Sequence, residues 1–141
     1  MFHATVFQAF SRKTCQKRCL YKTEKAADIW TELALQYDGK DRWYLEALGI
    51  GSDLNAGRCF KQWLAEVDND WNSGANKDIV WRLRAAEAIP VLAQLIKDEP
   101  DFSKTLRYFR AFDFHRDDSK NKVLEGLLVL ERPEKAEITK L

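Results

Sequence analysis

Apolar residues recur every three or four positions along most of the chain, and no stretch alternates convincingly between apolar and polar residues. The first spacing indicates helices with one buried side, whereas the second would indicate strands. The clearest stripe falls in a helix that we expect from about residue 55 to residue 67. Its members are Cys59, Phe60, Trp63, Leu64 and Val67. We predict that the first four are buried, together with Leu106, Phe109 and Phe112.

The same spacing predicts seven or eight helices joined by short loops. Side chains that can accept hydrogen bonds from a first helical turn mark several of the starts, among them Thr23, Asp41 and Ser119. Gly39 marks a stop, and Pro90 fits the first turn of its helix, which places the start of that helix near Ala88 or else a kink there. The expected helices span about residues 2–21, 24–37, 41–50, 55–67, 77–84, 85–97, 101–112 and 119–132. The cap of the helix that ends near residue 112 is either Ser103 or Asp101.

Residues 44–50 and 108–114 share one pattern, which runs aromatic, apolar, charged, Ala, apolar, small or acidic, apolar. Internal similarity on helical segments is typical of stacked helix pairs. The predicted fold is therefore all-α, a short right-handed solenoid of antiparallel helix pairs of the HEAT or armadillo type. Residues 23–132 would form this domain. A basic helix in residues 1–22 would precede it, and a tail in residues 133–141 would follow it.

The composition fits a helical domain of 141 residues, since only 6 Gly and 3 Pro are present and a fold with many tight turns needs more. The formal net charge is +1, but residues 1–25 hold six basic residues against one acidic residue. That segment therefore carries +5 and the remainder −4. No apolar run has the length of a membrane span, and the first ten residues lack a basic leader and a cleavage site. We expect neither a membrane span nor a signal peptide.

Few residues are candidates for chemistry. Cys15 and Cys19 lie one helical turn apart among basic residues and could form a redox pair, although two unlinked thiols are the simpler interpretation. His115 has carboxylates nearby and could act as a base or a metal ligand, but a His there more often meets a helix dipole. An enzyme would need a pocket around His115 or around Arg82 and Arg84. We predict no catalytic residue, no cofactor and no metal site.

The five tryptophans could form a stacking platform for bases or sugars. Most of them have helical spacing with Leu and Ile, which favours the core. Trp43, at a helix start, and Trp71, in a turn-rich segment, are the two that we expect to be exposed.

An arginine-rich surface is the predicted interaction site. If the two similar segments occupy equivalent places, their arginines lie on comparable faces, and a guanidinium group can both stack on an aromatic ring and pair with a carboxylate. The candidate surface consists of Arg42, Trp43, Arg82, Arg84, Arg107 and Arg110. The alternative is that these arginines tie helices together through Asp28, Asp78 and Asp113.

Three aromatic-rich segments of the chain resemble a known family. They read YDGKDRWYLEALG (residues 37–49), DIVWR (78–82) and RYFRAFDF (107–114). Together they resemble the HEAT-like helical region inside large bacterial membrane-bound dehydrogenase-like, haem-binding proteins, common in planctomycetes and related marine bacteria. Those proteins join a propeller of sugar-dehydrogenase type, the helical region and a cytochrome c domain. The resemblance covers about residues 28–128 and implies a linker or scaffold within an exported or membrane-associated parent protein.

The chain departs from that family in the residues that carry its redox chemistry. The family's haem is held by a Cys-x-x-Cys-His motif, and neither His3 nor His115 follows such a pair of cysteines. We therefore expect a non-catalytic scaffold or interaction module that binds a protein partner or neighbouring domains of a larger chain. The less favoured alternative is a nucleic-acid-binding helical domain that uses the basic N-terminal residues, with an affinity that falls steeply with salt.

Overall fold

The computed structural model describes residues 25–128, and every regular element in this range is helical. The α-helices are α1 (Lys25–Leu35), α2 (Arg42–Ser52), α3 (Ala56–Glu66), α4 (Gly74–Arg82), α5 (Ile89–Asp98), α6 (Phe102–Ala111) and α7 (Ser119–Leu128). A 3-10 turn, Ala86–Ala88, precedes α5, and another, Phe112–Phe114, follows α6. The prediction of an all-α chain with about seven helices is confirmed. The expected helix of residues 2–21, the cap at Thr23 and the tail of residues 133–141 lie outside the described range.

Polar residues fix the helix ends where the sequence indicates them. The Asp41 carboxylate accepts hydrogen bonds from the backbone N–H groups of Trp43 and Tyr44, at 2.8 and 3.2 Å, and so starts α2. Asp101 starts α6 in the same way, by accepting from the backbone of Ser103 at 2.9 Å. After α3 the chain reverses through Asp68 and Asn69, whose φ angles of 51° and 60° lie in the left-handed region that short polar residues tolerate.

Some of the expected boundaries are wrong. Helix α1 ends at Leu35, and Gly39, with φ of 81°, shapes the loop to α2 instead of closing the helix itself. Helix α4 begins at Gly74, three residues earlier than expected. It ends at Arg82 because Leu83 is extended. The helix that contains Pro90 starts where that residue predicts, because α5 begins at Ile89, directly after Ala88, and a 3-10 turn precedes it.

Helices that are two apart in the chain pack against each other. Helix α1 contacts α3, α2 contacts α4, α4 contacts α6 and α5 contacts α7, and the chain neighbours α1 and α2, α4 and α5, and α5 and α6 also pack together. The two segments with similar sequences therefore lie largely in α2 and α6, the two helices that flank α4. The core between the helices includes Phe60, Trp63, Leu92 and Phe112. Burying each of these side chains contributes about 1.5–3 kcal/mol.

Five of the seven residues predicted to be buried are buried, namely Cys59, Phe60, Trp63, Phe109 and Phe112. The prediction is wrong for Leu64 and Leu106, which are half-buried. Leu64 lies at the edge of the stripe, one position past Trp63. In α6 the buried side chain next to Leu106 is that of Thr105. Its hydroxyl donates a hydrogen bond to the backbone oxygen of Asp101 at 2.9 Å. That bond satisfies the hydroxyl, so a polar residue can replace an apolar one in the core.

Candidate interaction site

A cleft of about 350 Å³ opens where α2, α4 and α6 meet. The loop before α2 and the three helices each contribute side chains to it. The lining residues are Tyr37, Gly39, Lys40, Arg42, Leu45, Asp78, Trp81 and Arg107. The cleft therefore combines three cations, one carboxylate and two aromatic rings.

Asp78 and Trp81 hold Arg107 in the cleft through three contacts. Its Nη1 atom lies 2.7 Å from Oδ1 of Asp78, and its guanidinium carbon lies 4.1 Å from the centre of the Trp81 ring. The indole Nε1 of Trp81 in turn donates a hydrogen bond to the backbone oxygen of Arg107 at 3.1 Å. The side chain nevertheless stays 44% exposed. Arg107 is thus fixed in place while part of its side chain faces solvent.

Tyr37 supports the same carboxylate from the other side. Its hydroxyl donates to Oδ2 of Asp78 at 3.3 Å, and its ring stacks on Tyr44 with 6.0 Å between the ring centres. Burial, followed by the charge and hydrogen bond of Asp78, raises the pKa of Tyr37 to about 12. The hydroxyl is therefore a donor at neutral pH. Both oxygens of Asp78 have partners, so this residue positions Arg107 and Tyr37.

A second arginine, Arg82, joins α4 to α2 beside the cleft. Its Nε atom lies 2.7 Å from Oε2 of Glu46, and its side chain is only 11% exposed. The guanidinium group lies against Gly49, where any added Cβ atom would overlap it. Its Nη1 atom is buried and has no hydrogen-bond partner among the described residues. This arginine therefore packs as a tie between two helices.

The predicted arginines gather only in part. Arg42 approaches Glu46, the partner of Arg82, at 4.0 Å and also lines the cleft with Arg107. Arg84 lies elsewhere, with its guanidinium carbon 4.6 Å from the centre of the Phe114 ring.

The other members of the predicted surface lie outside the cleft. Arg110 is exposed and forms no ion pair within the described residues, and Trp43 is exposed on the outer side of α2. Trp71 is half-buried and packs on the core, so the expectation that it is exposed is wrong. Of the three carboxylates considered as ties, Asp78 pairs with an arginine, whereas Asp28 accepts from Gln62 at 2.7 Å. Asp113 is exposed.

Sequence reasoning missed Lys40 and Gly49 as parts of this region. Lys40 belongs to the short loop before α2, and polar residues in a loop beside a helix start are a frequent signal of a binding site. Its nearest carboxylate, on Asp38, is 3.7 Å away, and both side chains are largely exposed. An exposed pair of this kind is weak, so Lys40 keeps its charge available to a ligand.

The other candidate chemical groups are buried and separate. Burial, together with the positive charges of Lys120 and Arg84, lowers the pKa of His115. Burial raises the pKa of the Cys59 thiol to about 11, which leaves it protonated at neutral pH. Residues 25–128 contain no group of three or more His, Cys, Asp or Glu side chains placed to hold a metal ion. Within the same residues no helix has the length and apolar character of a membrane span. Cys15 and Cys19 lie outside this range.

No family model, curated protein or solved structure matches the chain. The resemblance to the HEAT-like region of the dehydrogenase-like haem proteins therefore stays a prediction.

Proposed function

We propose that this chain is a non-catalytic helical scaffold, a protein-interaction module whose cleft binds an acidic segment of a protein partner. The observation that carries the proposal is Arg107, which Asp78 and Trp81 hold in an open cleft with 44% of its side chain exposed. An arginine fixed in this way has little conformational freedom to lose when a carboxylate arrives.

The charge of the cleft favours a carboxylate-bearing ligand. Lys40, Arg42 and Arg107 line it against the single carboxylate of Asp78. Both oxygens of that carboxylate already have partners. Complementary charge increases the association rate and the specificity of a protein contact more than its bare affinity. We therefore expect a partner with at least two acidic residues close together.

A nucleic acid fits this surface less well. Neither aromatic ring in the cleft offers a free face for a base, because Tyr37 is buried and Trp81 lies under Arg107. The basic residues of the alternative hypothesis belong to residues 1–25, almost all of them outside the described range.

The helical-repeat character belongs to the same proposal. Contacts between helices two apart in the chain are what a stack of helix pairs produces, and they support a HEAT-like arrangement. The resemblance of residues 37–49, 78–82 and 107–114 adds a source for the acidic segment, namely a neighbouring domain of a larger dehydrogenase-like chain.

Binding of a labelled glutamate-rich peptide, measured by fluorescence anisotropy at low and at physiological salt, tests the proposal. We expect saturable binding that Arg107→Ala weakens at least about fivefold, because the variant loses a charged contact in the cleft. Arg110→Ala is the matched control, since it removes the same charge from the same helix outside the cleft. An equal loss in both variants, no binding at all, or tighter binding of a single-stranded RNA of similar length would contradict the proposal.

A further inference from the structure

The side of α2 that points away from the core carries large apolar side chains. Trp43 is 76% exposed, Ile50 51% and Leu54, just past the end of the helix, 71%. With the half-buried Ala47 they follow a spacing of four, three and four residues, which is typical of a seam between two packed helices. The buried residues of α2, such as Leu45, lie on the opposite side of the helix. We call Trp43, Ala47, Ile50 and Leu54 the α2 seam.

The spacing of the seam is the same from either end, so the seam can pack on a copy of itself. In an antiparallel pair of α2 helices, a two-fold axis midway between Ala47 and Ile50 places each Ala47 opposite Ile50 of the second copy. The same axis places each Trp43 opposite Leu54 of the second copy. The small side chain of Ala47 leaves room for the larger Ile50. Such reciprocal pairing, in which one residue meets another and the second meets the first, is what a two-fold dimer requires.

A cation and an anion border one edge of the seam. Arg42 directly precedes Trp43 and Asp53 directly precedes Leu54, so both lie about 100° around the helix on the same side of the seam. Arg42 is 82% exposed and meets Glu46 only at 4.0 Å, and the exposed Asp53 forms no ion pair within the described residues. Glu46, the other acid on this edge, is already paired with α4 at 2.7 Å. The edge therefore offers a weakly held cation at one end and an open anion at the other.

The two-fold axis brings these charges together across the two copies. Arg42 of one copy comes within two residue steps of Asp53 of the other, which is about 3 Å along the helix axis. A parallel arrangement would instead place this edge beside the other edge of the seam, where α2 has no charged residue. Only the antiparallel arrangement therefore forms the two pairs of Arg42 with Asp53.

We propose that a second copy of this chain packs antiparallel on the α2 seam and forms a two-fold dimer. Burial of Trp43, Ile50 and Leu54 drives the contact, and the pairs of Arg42 with Asp53 set its register. The seam is only about 16 Å long, since about 1.5 Å separates successive residues along a helix. An interface of this size lies at the low end for protein contacts, so we expect a reversible dimer with a Kd of about 100 µM.

Sedimentation velocity of the full chain between about 5 and about 500 µM tests the association. The mass should rise from that of one chain toward that of two. Ile50→Glu, which places a charge at the centre of the seam, should raise the Kd at least about tenfold. Ile29→Glu is the matched control, because Ile29 of α1 is 44% exposed and lies outside the seam, and it should change the Kd less than about twofold. A parent chain that stays monomeric, a mass above that of two chains, or an equal loss in both variants would overturn the proposal.

Photo-crosslinking of the full chain tests which residues meet. A benzoylphenylalanine replaces Leu54 in a mixture of unlabelled and isotope-labelled chains, so that mass spectrometry separates contacts between chains from contacts within one. The expected product joins residue 54 of one chain to the peptide that contains Trp43 of another. Crosslinks between two peptides around residue 54 would show a parallel pair, and crosslinks within one chain alone would show that another segment of that chain covers the seam. Either result, or the absence of any crosslink between chains, would overturn the proposal.

A charge exchange tests the register. Asp53→Arg should raise the Kd at least about fivefold because it places like charges together, and the addition of Arg42→Asp should restore the Kd to within about twofold of the parent value. Circular dichroism checks that each variant is folded. A double variant as weak as the single one would contradict the antiparallel pairing. The acidic-peptide experiment varies Arg107 and Arg110, which belong to α6, so either proposal can fail without the other.

Discussion

Two arginine–carboxylate pairs join α4 to the helices on either side of it, and they differ mainly in their access to solvent. Arg82 pairs with Glu46 of α2, and Arg107 of α6 pairs with Asp78, each at 2.7 Å. The Arg82 side chain is 11% exposed, whereas that of Arg107 is 44% exposed. The distance between charges is the same, so the surroundings of each pair decide its role.

The surroundings differ in what they leave available. Arg82 lies against Gly49, and its buried Nη1 atom meets no partner within the described residues. This geometry costs desolvation and stabilises only as long as Glu46 stays in place. Arg107 lies on an aromatic ring and lines an open cleft with a side chain that stays partly exposed. The first pair therefore holds two helices together, and the second presents a charge.

The largest expected effect comes from breaking the buried pair of Arg82 and Glu46. We expect Arg82→Ala to lower the free energy of unfolding by about 2–3 kcal/mol, somewhat below the usual cost of orphaning a buried charge because Glu46 is partly exposed. Arg107→Ala should cost less than about 1 kcal/mol, as exposed pairs do. Urea titration of both variants measures the contrast. Equal costs would show that the cleft arginine is structural as well.

The second prediction sharpens the role of Gly49. Gly49→Ala should destabilise the chain by about 1–2 kcal/mol, because the added methyl group displaces Arg82 from its packed position. In the Arg82→Ala background the same change should become neutral or stabilise by up to about 1 kcal/mol, since Ala favours a helix interior more than Gly does. Thermal unfolding of the four combinations forms a double-mutant cycle. The same cost in both backgrounds would show that Gly49 is not needed for Arg82.

The sequence predicts the elements of this fold better than it predicts the two pairs. Apolar spacing and side-chain caps depend on neighbours within one helix, so the stripe around Trp63 and the starts at Asp41 and Asp101 are predicted correctly. The missed residues are those whose burial the apolar spacing does not indicate. Thr105 takes an inward position because its hydroxyl bonds within its own helix, and a hydrophobic pattern cannot indicate that.

The candidate site shows the same limit. The sequence suggests Arg42, Arg82 and Arg107 as a group, because Arg42 and Arg107 adjoin the two similar segments and Arg82 lies between those segments in the chain. It cannot predict that Arg82 is buried and Arg107 exposed. That difference arises because Arg82 lies against Gly49, whereas Arg107 lies on the ring of Trp81. It also places Arg84 in the group, but that residue follows α4 and stacks on Phe114 instead.

The third prediction extends the comparison to His115. This residue is buried and titratable, and it has no ion pair like those of Arg82 and Arg107 within the described residues. Burial first, and then Lys120 and Arg84, lower its pKa, while Asp117 acts in the opposite direction. As the pH falls through about 6.5, the unfolded chain takes up this proton before the folded chain does. The free energy of unfolding should therefore decrease on acidification from about pH 7 to about pH 5.

His115→Phe is the matched variant for that pH dependence. It keeps a ring beside Phe112 and removes the titration, so its stability should change less over the same pH interval. Urea titrations at several pH values compare the two chains. Identical slopes would show that another group, one not facing His115, carries the pH dependence.

The smallest expected effect concerns Tyr37, the second support of the open pair. Tyr37→Phe removes the long hydrogen bond of 3.3 Å to Asp78, whose carboxylate stays paired with Arg107. The ring of residue 37 stays stacked on Tyr44. We therefore expect a cost of about 0.5 kcal/mol, at the low end for a single hydrogen bond. Tyr37→Ala, which also removes the buried ring, should cost several times more and is the control for packing. If Tyr37→Phe costs as much as Arg82→Ala in the same urea titration, the hydroxyl anchors the cleft, and the open pair stabilises the fold as the buried one does.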